Sequence, residues 1–281
     1  MTSPAQPWTV VIPVKNARSA KTRVRHPDRE ALARAMARDT IDAVARSPEV
    51  AVVVVVSDEP QPAGQAEEPN LRWVPDRGDG DLNRCLTFAV GDLPGHTPVA
   101  VVVADLPTLQ SRELSRLLAA AVQQPFGVVA DREGRGTSIL VAAEPARLHP
   151  HFGPESFTAH RDAGAVNLNQ AAGPSLRLDV DTLDDLRTAL VHGVGAATTR
   201  LLVDSPSLLD MADRRTHATV ARFDPATHSG TVLLDDGLEV PFDAAAFRAG
   251  GTLNLRLGQR VQLMHDSHGV ICAIFLATMA P

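Results

Sequence analysis

Val50 to Val56 is an unbroken Val-rich apolar run, closed by Ser57, Asp58 and Pro60. Such a run keeps no polar face for water, so it predicts a strand covered on both sides, as in a parallel sheet between helices. Trp8 to Val14 and Val99 to Val103 repeat the pattern. Between the first two, Arg29 to Arg46 carries Leu32, Ala35, Met36, Thr40, Ala43 and Val44 at helical spacing. Ser111 is read as the N-cap of a helix reaching Val122, with Glu113 in its first turn, and short strands are predicted at Gly127 to Ala130 and Ser138 to Ala142. Strands and helices in this alternation predict an α/β domain with a mostly parallel sheet.

Near Leu201 the pattern changes. Thr216 to Phe223, Gly230 to Leu234, Leu238 to Phe242, Arg260 to His265 and Val270 to Leu276 read as short strands joined by turns such as Asp235-Asp236-Gly237. They form an all-β module after a boundary within Asp204 to Arg215. The expected organisation is an α/β domain over 1–204, a linker over 205–215, and a small β-barrel over 216–281.

With 281 residues, 44% of them hydrophobic, both parts can bury a core. A formal charge of -6 argues against a coat for nucleic acid or anionic membrane and favours small-molecule partners. The two cysteines, Cys85 and Cys272, have neither disulfide-framework nor zinc spacing. Met1 to Pro7 does not read as an export signal, and the longest apolar run is too short to span a bilayer, so a reducing cytoplasm is expected.

Among 27 lysines and arginines, Lys15 and Lys21 are the only lysines, six apart in the loop after the first predicted strand. An ammonium is a compact point charge on a flexible stem, suited to a polyphosphate that is gripped and then released. In an α/β sheet ligands collect at the carboxyl ends of strands. Asp105, leaving the strand at Val99 to Val103, could hold a metal or cap the next turn. In Leu178-Asp179-Val180-Asp181-Thr182, alternate residues of an extended segment put both carboxylates on one face, where two like charges call for a cation. Asp181 or Thr182 could cap a helix over Leu183 to His192, which leaves Asp179 unexplained.

Two further segments could receive anions. Ala130 to Ser138 is a glycine loop with amides and hydroxyls, and Phe152-Gly153-Pro154-Glu155-Ser156 with His160 offers an amide, a hydroxyl and a side chain that could be a cation. A lone histidine such as His160 is more often structural than catalytic. Asp81-Leu82-Asn83 ends a glycine-rich turn and could read a nucleobase or close a surface loop. No serine elbow or cysteine dyad is present, which disfavours a covalent route.

In their order and spacing, these segments resemble the CofC/FbiD guanylyltransferases of coenzyme F420 biosynthesis, of GT-A-like nucleotidyltransferase fold. The stretches are Ile12-Pro13-Val14-Lys15, Ala20-Lys21-Thr22-Arg23, Asp81-Leu82-Asn83, Asp105-Leu106-Pro107, Gly134 to Thr137, Phe152 to Ser156 with His160-Arg161, Gly164-Ala165-Val166 and Leu178 to Thr182. The resemblance implies GMP transfer from GTP to a three-carbon phospho-acid, with release of pyrophosphate. The acceptor is phosphoenolpyruvate in bacterial members and 2-phospho-L-lactate in archaeal ones; 3-phospho-D-glycerate is a further alternative. It also implies Mg²⁺ on Asp105, Asp179 and Asp181, and the phospho-acid on Thr137, Gly153 and Ser156. Lys15, Lys21 and Arg23 would face the GTP phosphates, with Asp81 and Asn83 in the nucleotide site and Lys21, Asp105 and Asp181 in the catalytic step. A homodimer is common in the family. Arg135 departs from the small residue usual between the two glycines, and its cation could meet the substrate carboxylate or change which acid is accepted. A chain that senses GTP without turnover is a different class of reading, against which the three carboxylates weigh.

From Thr216 the tail resembles a cold-shock-like OB barrel, through Ala218 to Phe223, the Asp235-Asp236-Gly237 turn and Leu257 to Val261. Cold-shock proteins stack bases on aromatic side chains in a basic groove. This module has four arginines against six acidic residues and few aromatics at the matching positions, so nucleic-acid binding is not expected. An interaction, oligomerisation or regulatory role is favoured.

Overall fold

In the computed structural model, residues 7–14, 28–59, 69–205, 208, 215–234, 237–251, 254–265 and 271–276 are described. The chain divides into two compact units, Met1–Asp204 and Ser205–Pro281.

The first unit is built on a seven-stranded sheet. Its strands are β1 (Trp8–Pro13), β2 (Val50–Val56), β3 (Leu71–Val74), β4 (Val99–Val102), β5 (Phe126–Ala130), β6 (Thr137–Ala142) and β7 (Val166–Asn167), in spatial order β3-β2-β1-β4-β6-β5-β7. The pairs β1–β2, β2–β3, β1–β4 and β5–β7 are parallel, and β6 runs antiparallel to both β4 and β5. The sheet is therefore mostly parallel, with one reversed strand inside it. Every residue of β1, β4, β5 and β6 is buried, which is why those strands show no polar alternation.

Among the described residues, six helices accompany the sheet: α1 (Arg29–Ala45), α2 (Leu82–Gly91), α3 (Ser111–Ala121), α4 (Ser156–Asp162), α5 (Leu183–His192) and α6 (Ala196–Asp204). Among the described residues, two apolar clusters pack against this sheet. One joins Ile12, Val53 and Val102 to Ile41 and Val44 of α1 and to Leu114, Leu117 and Leu118 of α3. The other joins Val11, Val54 and Val101 to Cys85, Leu86 and Val90 of α2. Since Ile12 and Val11 are neighbours along β1, the clusters lie on opposite sheet faces.

One capping expectation is overturned. Gln110, not Ser111, is the N-cap of α3. The Ser111 hydroxyl donates instead to Ala43 O at 2.6 Å, a partner 68 residues away that local sequence does not reveal. Helices α2, α4 and α6 were also not predicted. The last is held by Asp39, whose buried carboxylate accepts from Ala197 N at 2.8 Å and Thr198 N at 2.9 Å.

The second unit is a five-stranded antiparallel sheet of β8 (Arg215–Asp224), β9 (Ser229–Leu234), β10 (Glu239–Phe242), β11 (Arg260–His265) and β12 (Ile271–Leu276), in order β10-β9-β8-β11-β12. A short helix, α7 (Ala244–Ala249), begins at Asp243, whose carboxylate accepts from Ala246 N. Its Phe247 packs in the core with Val220, Val232, Phe242, Val261 and Ile274.

Candidate active site

The carboxyl ends of β4 and β5 are tied to one irregular segment, Arg177 to Asp181. Val180 N donates to Asp105 O at 3.1 Å, which fastens the segment to the turn after β4. That turn is pinned by Thr40 of α1, whose hydroxyl donates to Ala104 O and accepts from Leu106 N. On the other side the Arg177 guanidinium donates to Ala130 O at 3.0 Å and to Asp131 O at 2.8 Å, at the end of β5. Leu178 and Val180 are buried, so the alternation of the segment leaves Asp179 and Asp181 on its other face. Thr182 and Asp185 close a reciprocal capping box on α5. The cap is thus supplied without the aspartates, whose presence needs another reason.

These carboxylates share one field. Burial pushes the Asp179 carboxyl up to about 7, and the charges of Asp105, Asp181 and Asp131 push it in the same direction. A partly buried group of acidic oxygens is a donor set suited to a hard divalent cation. Among the described residues no three acidic, His or Cys side chains are already gathered at metal-holding distance. Repulsion between carboxylates acts well beyond ligand distance. The residues fit such a cation in kind and in charge.

Asp131 was not singled out from sequence. It directly follows β5 as Asp105 follows the β4 region, so the strand-end rule that pointed to Asp105 would have found it. It also corrects the expected role of the glycine loop. Its carboxylate accepts from Arg135 N at 3.0 Å and Gly136 N at 2.7 Å, so those amides already hold an anion belonging to the chain. A Cβ at Gly136 would lie 2.3 Å from Asp131 Oδ2, which is why a glycine stands there. Arg135 pairs with Glu155 at 2.5 Å, with both side chains more than half exposed, and it links the loop to the Gly153–Ser156 turn.

The expected phospho-acid residues do come together. Ser156 Oγ donates to Thr137 Oγ1 at 3.1 Å, and Thr137 Oγ1 lies 3.0 Å from His160 Nδ1. His151 N donates to His160 Nε2 at 2.8 Å. His160 is fully buried, and burial, with the neighbouring His151, lowers its pKa to about 4. The imidazole is neutral at pH 7, not the cation considered from sequence. Gly153 precedes this group in a turn closed by Ser156 N to Gly153 O.

For Asp81 and Asn83 the structure shows local duties. Asp81 caps α2 by accepting from Asn83 N and Arg84 N. The Asn83 amide exchanges two bonds with the Phe152 backbone, 2.9 Å from Nδ2 to O and 2.7 Å from Phe152 N to Oδ1. Both functional atoms of that side chain are thereby committed to the loop ahead of Gly153. Lys15, Lys21 and Arg23 lie outside the described residues.

Residues 8–208 match the family model described as guanylyl transferase CofC like. The chain belongs to this family. A relative from Streptomyces scabiei, called phosphoenolpyruvate guanylyltransferase, is 44% identical over 211 residues, covering 70% of this chain and 98% of that protein. One of the same name from Frankia casuarinae is 40% identical over 219 residues, covering 68% of this chain and 75% of that protein. Among solved structures, a 4-diphosphocytidyl-2C-methyl-D-erythritol synthase aligns at 15% identity with a TM-score of 0.46, over 66% of this chain and 99% of that one. The CofC-like match ends at residue 208, so the β8–β12 unit lies almost wholly beyond it. The acidic and hydroxyl groups of the site both lie within the CofC-like span. No helix among the described residues is long and apolar enough to cross a membrane.

Proposed function

We propose that residues 1–204 form a cytoplasmic, Mg²⁺-dependent guanylyltransferase domain that moves GMP from GTP to the phosphate of phosphoenolpyruvate. Membership of the CofC-like family and the name shared by its relatives support the reaction. The observation that carries it within this chain is the bond from Val180 N to Asp105 O, which fastens the segment bearing Asp179 and Asp181 to the turn bearing Asp105, where burial and the neighbouring aspartates raise the Asp179 carboxyl. A fold retains such a repulsive group where a cation completes it.

In the reaction an oxygen of the acceptor phosphate bonds to the α-phosphorus of GTP. The bond from that phosphorus to the oxygen bridging it to the β-phosphate breaks, and pyrophosphate leaves with the electron pair. The acceptor is already an anion, so positioning and charge neutralisation matter more than a general base. Asp105, Asp179 and Asp181 would hold Mg²⁺, which when bound neutralises phosphate charge and aligns the two substrates. Thr137, Gly153 and Ser156 bind the phospho-acid, and Lys15, Lys21 and Arg23 meet the triphosphate. Asp81 and Asn83 shape the nucleotide site through the helix and loop they hold.

For residues 216–281 we propose an OB-like barrel with an interaction or regulatory role. Phe242 and Phe247 are buried and half-buried Phe223 packs against both, which leaves little of these rings for a base-stacking platform.

The test is pyrophosphate release from each nucleoside triphosphate paired with phosphoenolpyruvate, 2-phospho-L-lactate and 3-phospho-D-glycerate, with and without Mg²⁺. Release that requires GTP, phosphoenolpyruvate and Mg²⁺ is expected. No release from any pair would refute the enzyme reading, and a preference for another base or acid would refute that part of it.

A further inference from the structure

An anion is recognised by donors, and the hydroxyl pair Thr137–Ser156 has two protons to give. The Ser156 O–H proton is spent on Thr137 Oγ1, and Ser156 N is spent on Gly153 O. What remains is decided by the third member of the group, His160. A backbone N–H can only donate, so the 2.8 Å bond from His151 N makes His160 Nε2 an acceptor. A neutral imidazole carries one proton, which must then sit on Nδ1, where it faces Thr137 Oγ1, 3.0 Å away, and also the Ser156 backbone carbonyl. Thr137 Oγ1 therefore receives two hydrogen bonds, and its own proton has no acceptor among the described residues. If the Ser156–Thr137 bond reversed, the spare proton would pass to Ser156 and the pair would still hold one.

We infer that His160 is a positioning residue for the phospho-acid: by feeding its Nδ1 proton into the buried hydroxyl pair, it compels that pair to present one outward donor to the substrate anion. Were the ring protonated on Nε2 instead, Nδ1 would accept from Thr137 and the donor would be consumed inside the protein. The Phe152 and His151 rings flank His160, with centroids 5.2 and 5.8 Å away, and help fix its orientation. Thr137 and His160 come from β6 and α4, so the device depends on the fold bringing them together.

This inference rests on the proposed reaction, and two amide substitutions separate it from a purely structural role. The amide of an asparagine side chain reaches the place of Nδ1 and can still donate to Thr137; that of a glutamine reaches the place of Nε2 and can still accept from His151. His160→Asn is expected to keep the KM for phosphoenolpyruvate within about threefold of the native value. His160→Gln is expected to raise it about tenfold, the size of one lost hydrogen bond, with the KM for GTP unchanged. If His160 only braced the His151 backbone, the order of the two variants would reverse, and that result overturns the inference. Equal effects in both variants, or a parallel rise in the GTP KM, would also overturn it. In a Thr137→Val background the difference between Asn and Gln should vanish, because the hydroxyl through which His160 acts is gone. Persistence of the difference there would refute the route through Thr137. A native chain that releases no pyrophosphate would refute the parent reading, separately from these outcomes.

Discussion

Replacing Asp179 by asparagine tests the acidic cluster by stability as well as activity. In the metal-free chain its carboxyl stands at about 7, against an ordinary value of 3.8. Between these values the folded state holds a proton that the unfolded state has released. The contribution of Asp179 to stability is therefore greatest below about pH 4 and falls as the pH rises to about 7. At about 1.36 kcal/mol per pH unit, the whole shift bounds the loss near 4 kcal/mol. Asp179 keeps partial access to solvent, which screens the repulsion, so about 1–3 kcal/mol is expected above pH 7. Asp179→Asn cannot ionise and should escape this loss. Urea unfolding followed by the fluorescence of Trp8 and Trp73 reads the first unit, because both tryptophans lie there. Without metal at about pH 8, the variant should be more stable than the native chain by about 1–3 kcal/mol; near pH 4 the two should coincide. Mg²⁺ should stabilise the native chain at pH 8 and close the gap, while pyrophosphate release by the variant is lost. A variant no more stable than the native chain at pH 8, or a gain that persists near pH 4, would refute the reasoning.

Three other outcomes are expected. His160 has its pKa lowered from 6.5 to about 4 by burial and by His151, so its contribution to stability is present above about pH 6.5 and lost as pH falls toward 4. His160→Asn should make the acid limb of the same fluorescence-detected stability curve shallower by up to roughly 3 kcal/mol, and an unchanged limb would contradict this. Asp39→Ala leaves the Ala197 and Thr198 N–H groups at the start of α6 without their carboxylate and should cost about 2–3 kcal/mol in urea unfolding. A labelled single-stranded oligonucleotide titrated at two salt concentrations should show no tight, salt-sensitive binding to the full chain; such binding would overturn the role proposed for β8–β12.

Much of the architecture was legible because burial writes itself into the chain. The Val50–Val56 run is strand β2 from end to end, and Leu183–His192 is helix α5 with the expected Thr182 cap. The β8–β12 strands followed from short apolar runs between turns. Helices α4 and α6 were missed because they are short and are held by distant partners. For α6 that partner is Asp39, which lies 158 residues from Ala197. The Asp105, Asp179 and Asp181 motifs were visible as residues, whereas the repulsion on Asp179 arises only when the ends of β4 and β5 meet the irregular segment that carries Asp179 and Asp181.

The sequence by itself determined which segments must be hidden from water, where most strands and the helices α1, α3 and α5 form, and which carboxylates and hydroxyls merited attention. Those follow from side-chain type and local period. The tertiary structure alone decided that β6 runs backward between β4 and β5, that Asp131 fills the glycine loop, that Asn83 is committed to Phe152, and that His160 feeds a proton to Thr137. The physical reason is that a hydrogen bond or a charge repulsion acts over a few ångströms of space. Which distant residues become such neighbours is set by strand order and packing, which no local pattern of residues records.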